Sequence, residues 1–162
     1  MQIRNLVLAG VLGIFLSAVM TPAMAAASVS NAWVRATVQG QTATGAYMVI
    51  NSDQDLTLVG ADLDIAGRAS LHEMSMHGDM MMMMPIESLA IPAGHPVALD
   101  EHNYHIMLED LRQQIKPGEK IGLTLKFIDA KGVAQTVKVA ATVRELASQA
   151  APAMHMHEMG HE

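Results

Sequence analysis

The sequence predicts an all-β protein, built as a sandwich or barrel of antiparallel strands. Short runs of β-forming residues recur at intervals of about ten residues, turn-forming breaks separate them, and no long amphipathic helical pattern is present. The runs "ATGAYMVINS" and "LTLVGADLDI", with the polar stretch "SDQD" between them, illustrate this arrangement. Many short strands joined by such turns are typical of antiparallel sandwiches and barrels.

Two later runs alternate more strictly, with an apolar residue at every second position. "IGLTLKFI" carries Ile121, Leu123, Leu125 and Phe127, and "VAQTVKVAATV" carries Val133, Val137, Val139 and Val143. Because alternate residues of a strand share one face, we expect both sets to face the core. The intervening "DAKG" predicts a hairpin turn, "KPGE" predicts a type II turn, and "IPAGHP" predicts a further break.

The first 25 residues are interpreted as a secretory signal peptide that is cleaved after Ala25. One early charge, Arg4, precedes an apolar run from Leu6 to Met20, and the small-residue sequence "AMA" follows. A membrane anchor is the alternative, but fifteen apolar residues are short for a bilayer. We therefore expect an exported, periplasmic protein with no membrane span after cleavage, whose β domain occupies residues 26–146.

The charge and cysteine content exclude several classes of function. Without Arg4, nine Lys and Arg residues stand against sixteen Asp and Glu residues, a net charge near −7. This balance argues against nucleic acid or an anionic membrane surface as the partner. The absence of cysteine excludes disulfides, thiol catalysis and thiolate metal sites. No Ser/His/Asp set or carboxylate pair stands out, so we do not expect an enzyme.

The stretch "NYHIMLEDL" predicts a strand that presents a histidine and a methionine together. Tyr104, Ile106 and Leu108 share one face, and His105 and Met107 share the other. If the large apolar side chains face the core, the imidazole and the thioether point outward or toward a rim. The pair is either a two-donor metal site or a surface histidine beside a methionine that covers a neighbouring strand.

The stretch "LHEMSMHGDMMMMMP" repeats this arrangement with an excess of sulfur. His72, Met74 and Met76 fall on one face of a predicted strand, and the run Met80–Met84 follows before Pro85. Five consecutive methionines cannot all face a core, so some sulfurs must be exposed, at a cost of roughly 1.5–3 kcal/mol each. A structural role alone does not explain this pattern.

Copper chemistry explains the pattern better. Thioethers are soft, neutral donors that select Cu(I), and imidazole binds several transition metals. A set of histidines and methionines without cysteine therefore favours copper over zinc. An electron-transfer blue-copper site is excluded because it requires a cysteine thiolate.

The sequence resembles the periplasmic PCu(A)C copper chaperones, whose pattern is His, ten residues, Met, twenty-one residues, then His-x-Met. His72, Met83, His105 and Met107 match that spacing without a gap. The resemblance extends from "AWVRAT" near Trp33 through "GAYMVINS", "AGRASLHEM", "IPAG" and "YHIMLEDL" to "KPGEKIGLTLKF". It implies a cupredoxin-like β-sandwich, a solvent-near Cu(I) site formed by these two histidines and two methionines, and copper delivery for cytochrome oxidase assembly.

The methionine run is longer than the pattern requires. Met83 therefore has competitors, which are Met74, Met76, Met80, Met82 and Met84. Three further histidines are loop candidates for which plain solvent exposure is the alternative, and these are His77, His95 and His102.

The C-terminal segment, residues 147–162, is interpreted as a flexible tail. It begins with small residues and Pro152, shows no strand pattern, and ends in "MHMHEMGHE". Closely spaced imidazoles and carboxylates suit Cu(II), so the tail is a candidate second copper site, with nonspecific metal scavenging as the alternative. Its candidate donors are Met154, His155, Met156, His157, Met159 and His161.

The sequence thus favours a periplasmic copper chaperone that holds Cu(I) and passes it to an acceptor. The expected acceptor is a copper-site domain of cytochrome oxidase or another copper chaperone. A periplasmic copper-resistance buffer that stores or detoxifies copper is the first alternative. A metal-free adhesion or interaction sandwich is the second.

Overall fold

The computed structural model describes residues 27–145, which form ten strands and contain no helix. The strands are β1 (Ala27–Arg35), β2 (Thr44–Ser52), β3 (Leu56–Asp62), β4 (Arg68–His77), β5 (Met80–Ile86), β6 (Leu89–Ile91), β7 (Val97–Leu99), β8 (Tyr104–Glu109), β9 (Lys120–Asp129) and β10 (Ala134–Arg144). The all-β prediction is confirmed. The interpreted signal peptide and tail lie outside the described residues. Within these residues, no helix has the length and apolarity needed to cross a membrane.

The ten strands belong to one hydrogen-bonded sheet that folds over on itself. Their order is β5-β4-β8-β7-β2-β1-β10-β9-β3-β6, and β8 also pairs directly with β2. Although β3 and β4 are far apart in this order, their buried residues Leu58 and Leu71 belong to one core cluster, as expected for the two layers of a sandwich. Most neighbouring strands are antiparallel, as predicted, but β1 pairs with β10 and β7 pairs with β8 in parallel.

The core is filled by the face of β9 that the sequence alternation identified. Ile121, Leu123, Leu125 and Phe127 are all buried, so this prediction is confirmed. Each such side chain contributes about 1.5–3 kcal/mol by leaving water. This burial is sufficient to hold the two layers together without disulfides.

The corresponding prediction for β10 is only partly confirmed. Val143 is buried, but Val137 and Val139 are only partly buried and Val133 is 54% exposed. Val133 precedes the strand and belongs to the β9–β10 hairpin, where its amide bonds the Asp129 side chain. Val137 and Val139 pack against the edge of the core, and Val133 lies outside it.

The predicted turns have the expected backbone geometry. In "DAKG", the Asp129 carboxylate accepts hydrogen bonds from the amides of Lys131 and Val133, which closes the β9–β10 hairpin. In "KPGE", Gly118 has φ +85°, the value that the third residue of a type II turn requires. These turns fix the strand registers on which the rest of the sheet depends.

The strands β4 and β5 form a two-stranded ribbon that continues past the end of β8. β4 pairs with β8 only from Arg68 to Glu73, whereas its pairing with β5 continues to His77. The turn at the tip has Gly78 at its first central position with φ +61°, as in a type II′ hairpin. We call residues 74–84 the ribbon. Both of its faces carry exposed side chains, such as Met76 and Met81 on one face and Met80 and Met82 on the other.

Candidate metal centre

His72 and His105 lie directly opposite each other on β4 and β8. Their ring centroids are 5.7 Å apart, and the rings are inclined by 38°. Both side chains lie on the sheet face opposite to the buried Leu71 and Ile106, which are also paired. The strand parity that the sequence indicated for the two histidines therefore brings them together.

Met83 is in direct contact with this histidine pair. Its Sδ lies 3.1 Å from Nε2 of His105. The pairing of β5 with β4 places Met83 opposite Met74, which is two residues beyond His72 on the same face of β4. Nitrogen and sulfur donors of one four-coordinate first-row metal are about 3–3.5 Å apart, given metal–ligand bonds of about 2.0 and 2.3 Å. His105 and Met83 are thus already at the separation that a shared metal ion requires.

Met107 lies two residues beyond His105 on the same face of β8. It stands opposite Ser70 on β4 and opposite Gly45 on β2, and its side chain is partly buried. All four residues of the His-x10-Met-x21-His-x-Met pattern therefore occupy one face of three adjacent strands. Among residues 27–145, no three His, Asp or Glu side chains are grouped so that they could hold a metal ion.

His105 is less exposed than its strand position suggested. Only 6% of it is accessible, because aromatic rings from β1 and β2 cover the imidazole. The Tyr47 ring centroid is 6.3 Å from that of His105, and Trp33 stacks on Tyr47 at 4.3 Å. An extra residue in β1, with Asn31 at φ +52°, shifts the register so that Trp33 stands opposite Tyr47. His105 therefore faces away from Leu71 and Ile106, as its strand parity predicted, but it is covered by aromatic rings and not exposed to solvent.

Gly45 makes room for the tyrosine that covers His105. A Cβ atom at this position would lie 2.7 Å from Cζ of Tyr47, closer than such contacts allow. Gly45 also stands opposite Met107 on β8, so the glycine lies beside the candidate site as well as beneath the tyrosine ring.

The electrostatic environment keeps the His105 imidazole neutral. Burial lowers the pKa of His105 below its ordinary value of 6.5, and the nearby His72 and Arg35 lower it further. Arg35 bonds Glu101 at 2.5 Å, and its guanidinium carbon lies 5.8 Å from the Tyr47 ring centroid. Since a metal binds only the unprotonated imidazole, this environment favours metal binding at neutral pH.

The hydrogen bonds of His72 define which nitrogen carries its proton. Ser70 Oγ donates its only hydrogen to Glu109 Oε2 at 3.0 Å, so its 3.0 Å contact with Nε2 of His72 requires a hydrogen on that nitrogen. Arg68 donates to the same carboxylate oxygen at 2.8 Å, and this bond is the main reason why the pKa of Glu109 is lowered. Nδ1 of His72 is left as the unprotonated nitrogen.

Each of the two histidines also has one buried ring nitrogen that forms no hydrogen bond with the residues described. Nδ1 of His72 and Nδ1 of His105 are shielded from solvent and have no hydrogen-bond partner within residues 27–145. Buried polar atoms are rarely left in this state, and a binding site is one of the recognised explanations. The lone pair on Nδ1 of His72 is therefore available to a ligand.

The strand pairing divides the surplus methionines between two faces. Met74, Met76, Met81 and Met83 share the face of His72, which we call the site face of the ribbon. Met80, Met82 and Met84 share the opposite face with His77, which we call the reverse face. Ser75 donates a weak 3.9 Å hydrogen bond to Met84 on that reverse face. Of the competitors of Met83 that the sequence offered, Met80, Met82 and Met84 therefore point away from the histidine pair.

The remaining histidine candidates do not join the site face. His77 lies at the exposed end of β4 on the reverse face. His95 closes the Pro92–His95 turn and His102 lies in the loop before β8, and both are exposed. All three agree with the plain solvent-exposed alternative.

Sequence reasoning did not identify the residues that surround the two imidazoles. Ser70 has the same strand parity as His72, and Glu109 has the same parity as Met107, so parity places both near the site once the register is known. Tyr47 lies in a quoted segment, "GAYMVINS", but nothing in that run marks its ring as the cover of His105. These contacts depend on pairings between strands that are distant in sequence.

Comparison with known proteins gives one family match and one curated relative. A family model described as "Putative lipoprotein LpqE-like" matches residues 27–143. The "Putative lipoprotein Lxx21020" of Leifsonia xyli subsp. xyli is 34% identical over 102 residues, which are 62% of this chain and 61% of that protein. The chain therefore spans about three fifths of that relative's length.

Solved structures give further matches. Apo-DR1885 from Deinococcus radiodurans is 29% identical, with a TM-score of 0.56, and the match covers 90% of this chain and 98% of that one. CuI-DR1885 is 31% identical, with a TM-score of 0.50, and the match covers 79% of this chain and 83% of that one. The apo PCuAC domain from PmoF1 is 20% identical, with a TM-score of 0.60, and the match covers 75% of this chain and 95% of that one. This match indicates a shared fold.

Proposed function

Because this chain belongs to the LpqE-like family and to the PCu(A)C domains, with their cupredoxin-like β fold, we propose that it is a copper chaperone. It binds Cu(I) through His72, Met83, His105 and Met107 and releases it to an acceptor protein. Copper is the cargo of this protein. CuI-DR1885, named as a Cu(I) form, supports the choice of ion.

The observation that carries the proposal is the contact between Met83 Sδ and His105 Nε2 at 3.1 Å beside the His72 imidazole. Three donors of the types that Cu(I) prefers are assembled on one sheet face, and the fourth, Met107, follows two residues after His105. Met83 is 45% exposed, so one side of the site faces solvent. An acceptor ligand can approach from that side while the two imidazoles hold the ion.

The neutral donors suit release as well as binding. Thioethers carry no proton, so pH affects binding only through the two histidines. Cu(I) transfers by ligand exchange, in which a bond to an acceptor donor forms as a bond to Met83 or Met107 breaks. The oxidation state does not change, and no proton needs to leave the methionines.

We place this activity in the periplasm and assign the acceptor as a copper-site domain of cytochrome oxidase or another copper chaperone. The support for export is the interpreted signal peptide at residues 1–25 and the description of the relatives as lipoproteins. The tail at residues 147–162 serves as a second, Cu(II)-binding segment in this proposal. Comparing copper stoichiometry in the full mature chain and in a chain ending at Ala147 tests the tail.

A Cu(I) titration against a competing chelator tests the main site. We expect one tight Cu(I) per domain, and we expect His105→Ala with Met107→Ala to lose it. Because His105 is buried, Met83→Leu with Met107→Leu provides a second variant that keeps the apolar volume. The control is His102→Ala with Met80→Leu, which removes one exposed histidine and one reverse-face methionine. Unchanged affinity in both site variants, with intact circular dichroism, would contradict the site assignment.

Copper storage is a second candidate function, favoured by the five exposed methionines of Met80–Met84. A storage protein should bind several copper ions and needs no particular acceptor. A chaperone should metallate an apo oxidase copper domain faster than a free copper complex does. Stoichiometry and transfer rate together distinguish the two functions.

A further inference from the structure

The site face of the ribbon carries a regular series of cross-strand donor pairs. His72 stands opposite His105, Met74 stands opposite Met83, and Met76 stands opposite Met81. Residues at successive positions on one face of a strand are about 6.8 Å apart along it. The histidine pair is thus followed by two thioether pairs that lead outward along the ribbon to its tip at Gly78.

The exposure of these side chains rises along the series. His105 is 6% exposed and Met83 is 45% exposed, whereas Met81 is 53% and Met76 is 61% exposed. The inner end is enclosed by Tyr47, and the outer end lies beyond the last residue of β4 that pairs with β8. An ion that approaches along the ribbon from its tip therefore meets the Met76–Met81 pair before it meets the imidazoles.

The outer pair has the composition and spacing to hold Cu(I) briefly. Directly opposed residues of an antiparallel pair have Cβ atoms about 4.5–5.5 Å apart. Two sulfurs bound to one ion are at most about 4.6 Å apart, for metal–sulfur bonds of about 2.3 Å. The unbranched methionine side chain, with three rotatable bonds, can adjust to this distance. Two neutral thioethers without an imidazole form a weaker site than the inner one.

We propose that the Met76–Met81 pair is an outer Cu(I) site through which copper enters and leaves the inner site, with Met74 and Met83 as the next donors inward. This inference rests on the proposed function of the inner site. In each step, a Cu(I)–sulfur bond to one pair forms as a bond to the neighbouring pair breaks. The ion remains Cu(I), and no proton moves because thioethers carry none.

The reverse face of the same ribbon provides a matched control. Met80 and Met82 are 67% and 43% exposed, belong to the same hairpin, and stand on the face opposite to the histidines. If the ribbon acted only through its apolar surface or its flexibility, loss of sulfur from either face should have similar effects. If copper moves along the site face, only the loss of site-face sulfurs should slow copper transfer.

The experiment compares Met76→Leu with Met81→Leu against Met80→Leu with Met82→Leu in the full mature chain. Leucine keeps the apolar volume and removes the sulfur. Stopped-flow transfer of Cu(I) to bathocuproine disulfonate gives the rate, and an equilibrium competition with the same chelator gives the affinity. We expect the site-face variant to transfer copper about tenfold more slowly, equivalent to about 1.4 kcal/mol in the barrier. Its equilibrium affinity should equal that of the wild type.

Three results would overturn the outer site. A wild-type transfer rate in both variants would show that the ribbon sulfurs do not control transfer. Equal slowing of both would assign the effect to the ribbon as a whole. Lower equilibrium affinity in the site-face variant would make Met76 or Met81 an inner ligand. Failure of the wild type to bind Cu(I) would instead refute the proposed function, so the two failures are distinguishable. Circular dichroism of both variants checks that the sheet is intact.

Discussion

At the scale of single residues, the two candidate histidines have different surroundings although they face each other. His105 is enclosed by Tyr47 and contacts Met83 through Nε2. His72 is held through Nε2 by Ser70, which is itself bonded to Glu109. His105 is therefore positioned by packing, and His72 is positioned by a hydrogen-bond chain. The two imidazoles should respond to different substitutions.

The lowered pKa of His105 predicts that the metal-free protein loses stability in acid. Above about pH 6.5, His105 is neutral in both the folded and the unfolded chain, so it has no effect. As the pH falls below that value, the unfolded chain takes up a proton at this position before the folded chain does. The free energy of unfolding should therefore fall, by at most about 1.4 kcal/mol per pH unit from this residue.

Urea denaturation of the metal-free protein at pH 7.5 and at pH 5.5 measures this effect. His105→Gln should reduce the pH dependence. An identical pH dependence in the wild type and in His105→Gln would contradict the prediction.

Ser70→Ala should change the tautomer of His72 and weaken copper binding. The substitution removes the acceptor for the Nε2 hydrogen, so the proton is no longer confined to that nitrogen. Nitrogen NMR of the metal-free protein at alkaline pH reports the tautomer directly. Loss of such a supporting contact typically costs 10–100-fold in metal affinity, and we expect a decrease of at least about tenfold.

Ser75→Ala is the matched control for this substitution. Ser75 lies on the same strand but faces Met84 on the reverse face. Its variant should keep both the His72 tautomer and the Cu(I) affinity. A wild-type tautomer in Ser70→Ala would show that the Ser70–Glu109 chain does not determine the proton position.

At the scale of secondary structure, the sequence predicted the strand that carries each candidate ligand but not how the strands pair. Alternation in "LHEMSM" and "NYHIMLEDL" placed each histidine with a methionine on one face, and that pairing by parity is confirmed. Parity could not identify the face of each methionine in the run. A one-residue change in the β4–β5 register moves every side chain to the other face. The register depends on the two-residue turn at Gly78 and Asp79, whose Gly-Asp sequence is a type II′ hairpin signal that our prediction did not use.

Gly78→Ala should loosen the ribbon without unfolding the domain. Gly78 has φ +61°, where an alanine is disfavoured by about 1–2 kcal/mol. That loss corresponds to a roughly 5–30-fold increase in local opening. Hydrogen exchange of the β5 amides should therefore accelerate by a similar factor.

Gly132→Ala serves as the control for this turn. Gly132 has φ +80° in the β9–β10 hairpin, so the backbone strain is comparable but lies away from the ribbon. Exchange at β5 should remain unchanged in that variant. Equal acceleration at β5 in both variants would mean that the ribbon opens only with the whole sheet.

At the scale of the whole molecule, local sequence patterns predicted the all-β class but not the closure of the sheet. The alternation in β9 correctly identified four core residues. The parallel pairing of β1 with β10 joins residues more than one hundred positions apart, for example Trp33 with Thr142. No local pattern encodes such a contact, because its strands are brought together only when both layers form. The cover over His105 depends on the pairing of β1 with β2 and on the pairing of β2 with β8, and the second of these likewise joins strands that are distant in sequence. The cover was therefore missed.

The direct pairing of His72 with His105 has a consequence for repeated use of the protein. The strands that carry the two imidazoles are held in register by backbone hydrogen bonds of the sheet, so the histidine pair is in place once the domain folds. Binding energy is not needed to order the chain, and loss of the ion leaves the sheet intact. In the proposed role, each molecule can therefore complete many cycles of loading and unloading without refolding, as a reusable carrier must.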